Sequence, residues 1–165
     1  MKKIKATLLL LPIILLFFFT QAWATGVGHP ARTADLRLLE TIIGDEDWVL
    51  VDCRTRKAYD DGHIPMSITF GDTCARVLLG ADGKPRPVAE LEKILGSNGI
   101  SAEKNVIFYA DGPSIPQAIT AVWVMGYLGH ERVQFFNVDA WVAGGLPMVK
   151  SRLVLDPVEY KAVRR

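Results

Sequence analysis

Cysteine is scarce in this chain, and the scarcity excludes a disulfide scaffold: Cys53 and Cys74 are the only two among 165 residues, enough for one bridge and no framework. Histidine is almost as rare, with His29, His63 and His130 far apart. Asp60, Asp61 and His63 sit close together, but their spacing on one turn matches no coordination pattern, so neither a metal nor a cofactor is expected. After residue 24 no Lys/Arg cluster occurs beyond the terminal Arg164-Arg165, which removes the electrostatic footprint of nucleic-acid binding. After residue 24 there is no low-complexity segment, internal repeat or long apolar run.

The first 24 residues are a different kind of sequence. Lys2, Lys3 and Lys5 precede a charge-free run rich in Leu, Ile and Phe from Ala6 to Phe19, and Ala22-Trp23-Ala24 places small residues where a signal peptidase reads them. The pattern predicts a secretory signal, residues 1–24, cleaved after Ala24, and an extracytoplasmic protein, periplasmic or secreted. The alternative is a retained anchor, because the charge-free stretch from Ala6 to Ala31 approaches the length that spans a bilayer. Pro12 interrupts that stretch, and Thr20 and Gln21 make its tail more polar, so no stable span is expected after cleavage. No cysteine lies near the cleavage site to take a lipid.

The remaining 141 residues suit one domain with one core. Three of the 19 basic residues leave with the signal and all 18 acidic residues stay, so the remainder carries a formal charge of −2. Thr33 can cap a helix through Leu36, Leu39, Ile42 and Ile43 that Gly44 ends. A strand follows at Trp48–Cys53, then a short helix near Lys57–Asp60 and a brief strand near Ser67–Phe70. After the loop from Gly80 to Pro85, Pro87 opens a helix whose Val88, Leu91, Ile94 and Leu95 share a face. The alternation repeats with a strand at Val106–Tyr109, a helix at Pro116–Leu128 stopped by Gly129, a strand at Val133–Phe136 and a short helix at Asp139–Ala143. Apolar, non-alternating strands separated by helices predict an α/β fold with a mostly parallel sheet of about five strands, covered on both faces.

Within that pattern one stretch stands out. The sequence WVLVDCRTRKAYDDGHIP, Trp48 to Pro65, joins a buried strand to Asp52-x-Arg54, Tyr59 and Gly62-His63-Ile64-Pro65. Further on come a strand ending at Tyr109, a loop, the helix from Ala118 to His130, a strand, Trp141 and Gly145-Leu146-Pro147. In this order the chain resembles the rhodanese-like family from Asp35 to about Val149. The domain division expected is a lead-in at 25–34, a rhodanese-like domain at 35–150 and a C-terminal tail at 151–165, which the sequence leaves open between a helix and a fraying end.

The resemblance implies sulfur transfer through a persulfide on a thiolate in the loop after the Tyr109 strand. Here that position is Ala110, and the next residues are Asp111, Gly112, Pro113, Ser114 and Ile115. The Arg that many such loops carry is missing, Pro113 and Pro116 each remove an N–H donor, and Asp111 puts negative charge where an anion would sit. A Gly-Gly pair that the family commonly has before the Trp is also gone, replaced by Asn137 to Ala140, which predicts a reshaped loop surround. Ser114 reads as a helix N-cap. Asp52, Arg54, Tyr59, His63 and Pro65 read as structural, fixing the strand end and the turn.

Cys53 reads as a buried, small apolar side chain. Cys74 follows Gly71-Asp72-Thr73 and is the candidate for an exposed reactive thiol, with Arg76 near enough to lower its pKa. Joining the two would close a loop of about twenty residues. The expectation is an exported rhodanese-like protein without conventional sulfurtransferase activity, binding a small sulfur-containing anion or docking to another exported protein. Gly112 and Ser114 would supply the anion's donors. The alternative is a sulfurtransferase or oxyanion-handling enzyme that uses Cys74.

Overall fold

In the computed structural model, residues 32–163 are described; the expected signal lies outside them. Four strands form one parallel sheet: β1 (Trp48–Asp52), β2 (Ser67–Thr69), β3 (Asn105–Ala110) and β4 (Val133–Asn137), in the order β2-β1-β3-β4. Thr33 adds a parallel bridge to Phe135 at the outer edge of β4. Four strands and this bridge stand where about five strands were expected.

Alternation along the strands divides the core between two faces. Val49, Val51, Val106, Phe108 and Ala110 point into one apolar cluster. Its cover comes from α3 (Cys74–Leu78), α4 (Val88–Ser97) and α5 (Ile115–Tyr127). Leu50, Ile107 and Tyr109 point the other way, against α1 (Leu36–Ile42) and α6 (Val138–Ala143), where Leu39 and Trp141 are buried. Helices therefore cover both faces, as β-strands buried on both sides require. A short α2 (Arg56–Asp61) connects β1 to β2. Among the described residues no helix is long and apolar enough to cross a membrane.

Local chemistry sets the helix ends. The α1 cap is Asp35, whose carboxylate accepts the Leu38 N–H at 2.8 Å, and not the expected Thr33, which the β4 bridge holds in extended backbone. Thr55 caps α2, and Asn137 caps α6 by accepting the Asp139 N–H at 3.0 Å. The unexpected helix is α3, five residues that begin at Cys74.

From residue 151 to 163 the chain forms no helix and is tied down along its length. It runs as an extended strap over the domain: Val158 donates to the Gly96 carbonyl at 2.9 Å, Ala162 to a Glu92 carboxylate oxygen at 2.9 Å, and Tyr160 is buried. Gly129, in left-handed backbone (φ +78°), admits the strap because a Cβ there would overlap the Val163 carbonyl.

His130 anchors the strap from below. The tautomer with N–H at Nε2 donates to the Lys104 carbonyl at 3.0 Å and accepts the Tyr160 hydroxyl at Nδ1, 3.2 Å away. Burial lowers the pKa of His130. The folded protein thus resists a proton that the unfolded chain takes up near the ordinary value of about 6.5, so stability is retained above that pH and falls as pH drops below it. Thermal melting between about pH 5 and 7.5 should show this loss in the native protein and a flatter profile in H130Q.

Candidate functional site

The end of β1 carries the residues singled out by the sequence, and the fold brings them together. Asp52 is fully buried and binds the guanidinium of Arg54 through Arg54 Nη2 to Oδ2 at 2.6 Å and Arg54 Nε to Oδ1 at 3.0 Å. The Arg54 backbone N–H also donates to Asp52 Oδ1 at 2.9 Å, and Arg54 Nη2 donates to the Gly62 carbonyl at 2.8 Å. Burial opposes the Arg54 charge, and the bond and charge of Asp52 outweigh it, raising the Arg54 pKa. The guanidinium carbon lies 5.9 Å from the centre of the Tyr109 ring.

Tyr109 joins this cluster to the turn. Ser67 Oγ donates to the Ile64 carbonyl at 2.7 Å, which leaves the Tyr109 hydroxyl to donate to Ser67 Oγ at 2.8 Å and to accept the Ile64 N–H at 3.2 Å. Burial, reinforced by the Asp52 charge, raises the Tyr109 pKa well above its ordinary value, so the phenol keeps its proton. Tyr59 stacks on His63 with ring centres 3.7 Å apart and donates to the Ser67 carbonyl at 2.9 Å. His63 has the Tyr59 carbonyl 2.8 Å from Nδ1 and the Ser151 carbonyl 3.0 Å from Nε2, and its backbone pairs with Val149. Pro65 is partly buried in the turn that follows. The side chains of Asp52, Arg54, Tyr59, His63 and Tyr109 are thus each tied to another part of the scaffold.

The loop after β3 lies beside the cluster, since Tyr109 pairs in register with Asp52 and its carbonyl accepts the Cys53 N–H at 2.9 Å. Ala110, the last residue of β3, is fully buried and presents a methyl group to the core. Asp111 follows, then a single 3-10 turn, Gly112–Ser114, and α5. The backbone N–H groups expected to receive an anion are already used. Gly112 N–H donates to Asp139 Oδ2 at 3.1 Å, Ser114 N–H to the Asp111 carbonyl at 2.8 Å and Ile115 N–H to the Gly112 carbonyl. Pro113 and Pro116 have none to give. The expectation that Gly112 and Ser114 offer free donors is therefore corrected for their backbone N–H groups, while the Ser114 hydroxyl is not held by a capping bond.

Ser114 does stand at the N-cap of α5, but its side chain makes no capping bond there. Asp111 Oδ1 and Gln117 Oε1 are shielded at the same helix start without a hydrogen-bond partner among the described residues.

Asp139 is the residue that sequence reasoning missed. With no glycine after β4, α6 begins at Val138, and Asn137 holds the first turn so that the Asp139 carboxylate reaches the loop. An internal carboxylate thus occupies a backbone donor that the resemblance would assign to an outside anion. The missing glycine pair was the only signal in the sequence.

Cys74 is corrected more sharply. It is not exposed: it is fully buried and forms a disulfide with Cys53, because the first residue of α3 packs directly over the end of β1. The pair lies in the same apolar cluster as Ala110 and Ala118. No cysteine among the described residues is free, and a buried disulfide offers neither the exposure nor the thiolate that the alternative needed. Arg76, expected to tune it, pairs with Asp72 at 3.2 Å instead.

Comparison with known proteins agrees with this architecture. The profile of the rhodanese-like domain matches residues 35–142. A provisionally named thiosulfate sulfurtransferase of Haloferax volcanii is 35% identical over 107 residues, 60% of this chain and 34% of that protein. Among solved structures, a 3-mercaptopyruvate sulfotransferase from Escherichia coli superposes with a TM-score of 0.70 at 20% identity, covering 82% of this chain and 56% of its own. The anaerobic ergothioneine biosynthesis enzyme of Chlorobium limicola, in complex with trimethyl histidine, gives a TM-score of 0.67 at 23% identity over 79% of this chain and 36% of its own. The chain spans about a third of the length of the curated relative it matches.

Proposed function

The chain belongs to the rhodanese-like domain family, and from that premise we propose that it is an exported member without a persulfide-carrying thiol at the family's nucleophile position, serving as a protein-docking module. The observation that carries this reading is the pairing of Ala110 with a loop closed from inside by Asp139. Alanine can neither attack a donor nor hold sulfur. The committed N–H groups, together with Asp111 and Asp139, disfavour an inorganic sulfur anion as ligand. Of the two roles expected from the sequence, docking is therefore the better supported.

The outer face of α5 fits that role, since the helix IPQAITAVWVMGY contains no charged residue and leaves Ile119, Trp123 and Tyr127 exposed. Export is supported by the signal pattern of residues 1–24 and by the Cys53–Cys74 disulfide, a bond that persists in oxidising compartments. Incubation with thiosulfate followed by intact-mass measurement tests the reading. No sulfur should be added, and the Gly112 and Ser114 amide resonances should stay in place. A persulfide adduct, or saturable movement of those two amides, would overturn it.

A further inference from the structure

A cleft of about 260 Å³ runs along the outer edge of β2, away from the loop after β3. Its floor is Ile68, Thr69, Phe70 and Gly71, its end is Ser97 and Asn98, and its far wall is the strap at Leu153, Val154 and Leu155. This wall is held in place. His63 engages the Ser151 carbonyl before it, Val158 donates to the Gly96 carbonyl after it, and Leu155 lies so close over Gly99 that a Cβ there would strike its side chain.

The lining has a definite chemistry. Of the lining residues only Arg56 and Arg152 are charged, and both are cations. Their shared partner is Asp60, which meets Arg56 through Nε at 2.9 Å and Arg152 through Nη2 at 3.4 Å. One carboxylate thus serves two guanidinium groups, leaving a net positive charge and the remaining guanidinium N–H groups without a bond among the described residues. Thr69 Oγ1 accepts the Gly71 N–H at 3.1 Å, so its own proton is free to be donated. Ile68, Phe70, Leu153 and Leu155 supply partly or fully buried apolar surface beside these donors.

We propose that this cleft binds a small organic anion, a carboxylate or sulfonate on a compact apolar body, with Arg56 and Arg152 on the anionic group and Phe70, Leu153 and Leu155 against the body. Arginine forks suit planar carboxylates and tetrahedral sulfonates. The volume lies below the roughly 300–1,000 Å³ of pockets for drug-sized ligands, which limits the ligand to a small one. The site stands apart from the docking role proposed for the chain and depends on neither Ala110 nor α5.

Titration of the isotopically labelled protein with benzoate, and separately with uncharged benzyl alcohol, tests the site by amide chemical shifts. Benzoate should cause saturable shifts at Thr69 to Gly71, Asn98 and Leu153 to Leu155, weakened by added salt, while benzyl alcohol binds at least about fivefold more weakly. R56Q and R152Q, at partly exposed positions, should each weaken benzoate binding by about fivefold or more while leaving the rest of the spectrum unchanged. Non-saturable shifts, equal binding of the alcohol, indifference to both substitutions, or shifts centred on Ala110 to Ile115 would each overturn the assignment. Only the last of these would also count against the proposed closure of the loop.

Discussion

Replacing Arg54 with methionine is expected to destabilise the protein by about 3–5 kcal/mol, because it strips the partner from a carboxylate with no exposure to water. Asp52 would keep one backbone N–H and lose the guanidinium, and the Gly62 carbonyl would lose its donor at the same time. The charge is the main cost, so the double variant D52N/R54M should recover roughly half of the loss. Urea unfolding of the native protein, R54M and the double variant measures this directly. If R54M unfolds within about 1 kcal/mol of the native protein, the pair behaves like a surface ion pair and the structural role given to Asp52 and Arg54 is wrong. The tie matters to the site because the same guanidinium lies against Tyr109, whose carbonyl fixes Cys53 and whose neighbour is Ala110.

The second large effect concerns the disulfide. Cys53 and Cys74 are 21 residues apart, and in the chain-entropy account a closed loop of that length contributes about 3 kcal/mol. C53A/C74A should therefore melt about 10 °C or more below the oxidised native protein. Alkylation without reductant should label neither cysteine, and both should become available only after reduction and unfolding, since neither has any exposed surface. Labelling of Cys74 alone under native conditions would revive a reactive-thiol account and remove the bond from the fold.

Much of the fold can be read from the sequence because its signals are local and repeated. Apolar strands such as Val106-Ile107-Phe108-Tyr109 had nowhere to go but the interior, and Gly44 and Gly129 end their helices in left-handed backbone. Asp52, Arg54, Tyr59 and His63 lie within one connection between neighbouring strands, so their spacing along the chain already implied their nearness in space. What escaped the sequence depends on distant partners. The Gly112 to Asp139 bond spans 27 residues and two elements, and the disulfide depends on α3, a helix too short to carry a periodic pattern. The strap after residue 150 likewise has no period of its own and takes its path from Gly96, Gly99 and Gly129.

The proposed function turns on Ala110, a buried methyl group where the family resemblance places the sulfur-carrying thiol. Thiocyanate formation from thiosulfate and cyanide by the purified protein, with its disulfide intact, tests that proposal most directly. The expected result is a rate indistinguishable from buffer, unchanged in C53A/C74A. Sustained turnover that survives loss of both cysteines would contradict it, because sulfur would then be moving through a site that Ala110 was thought to close.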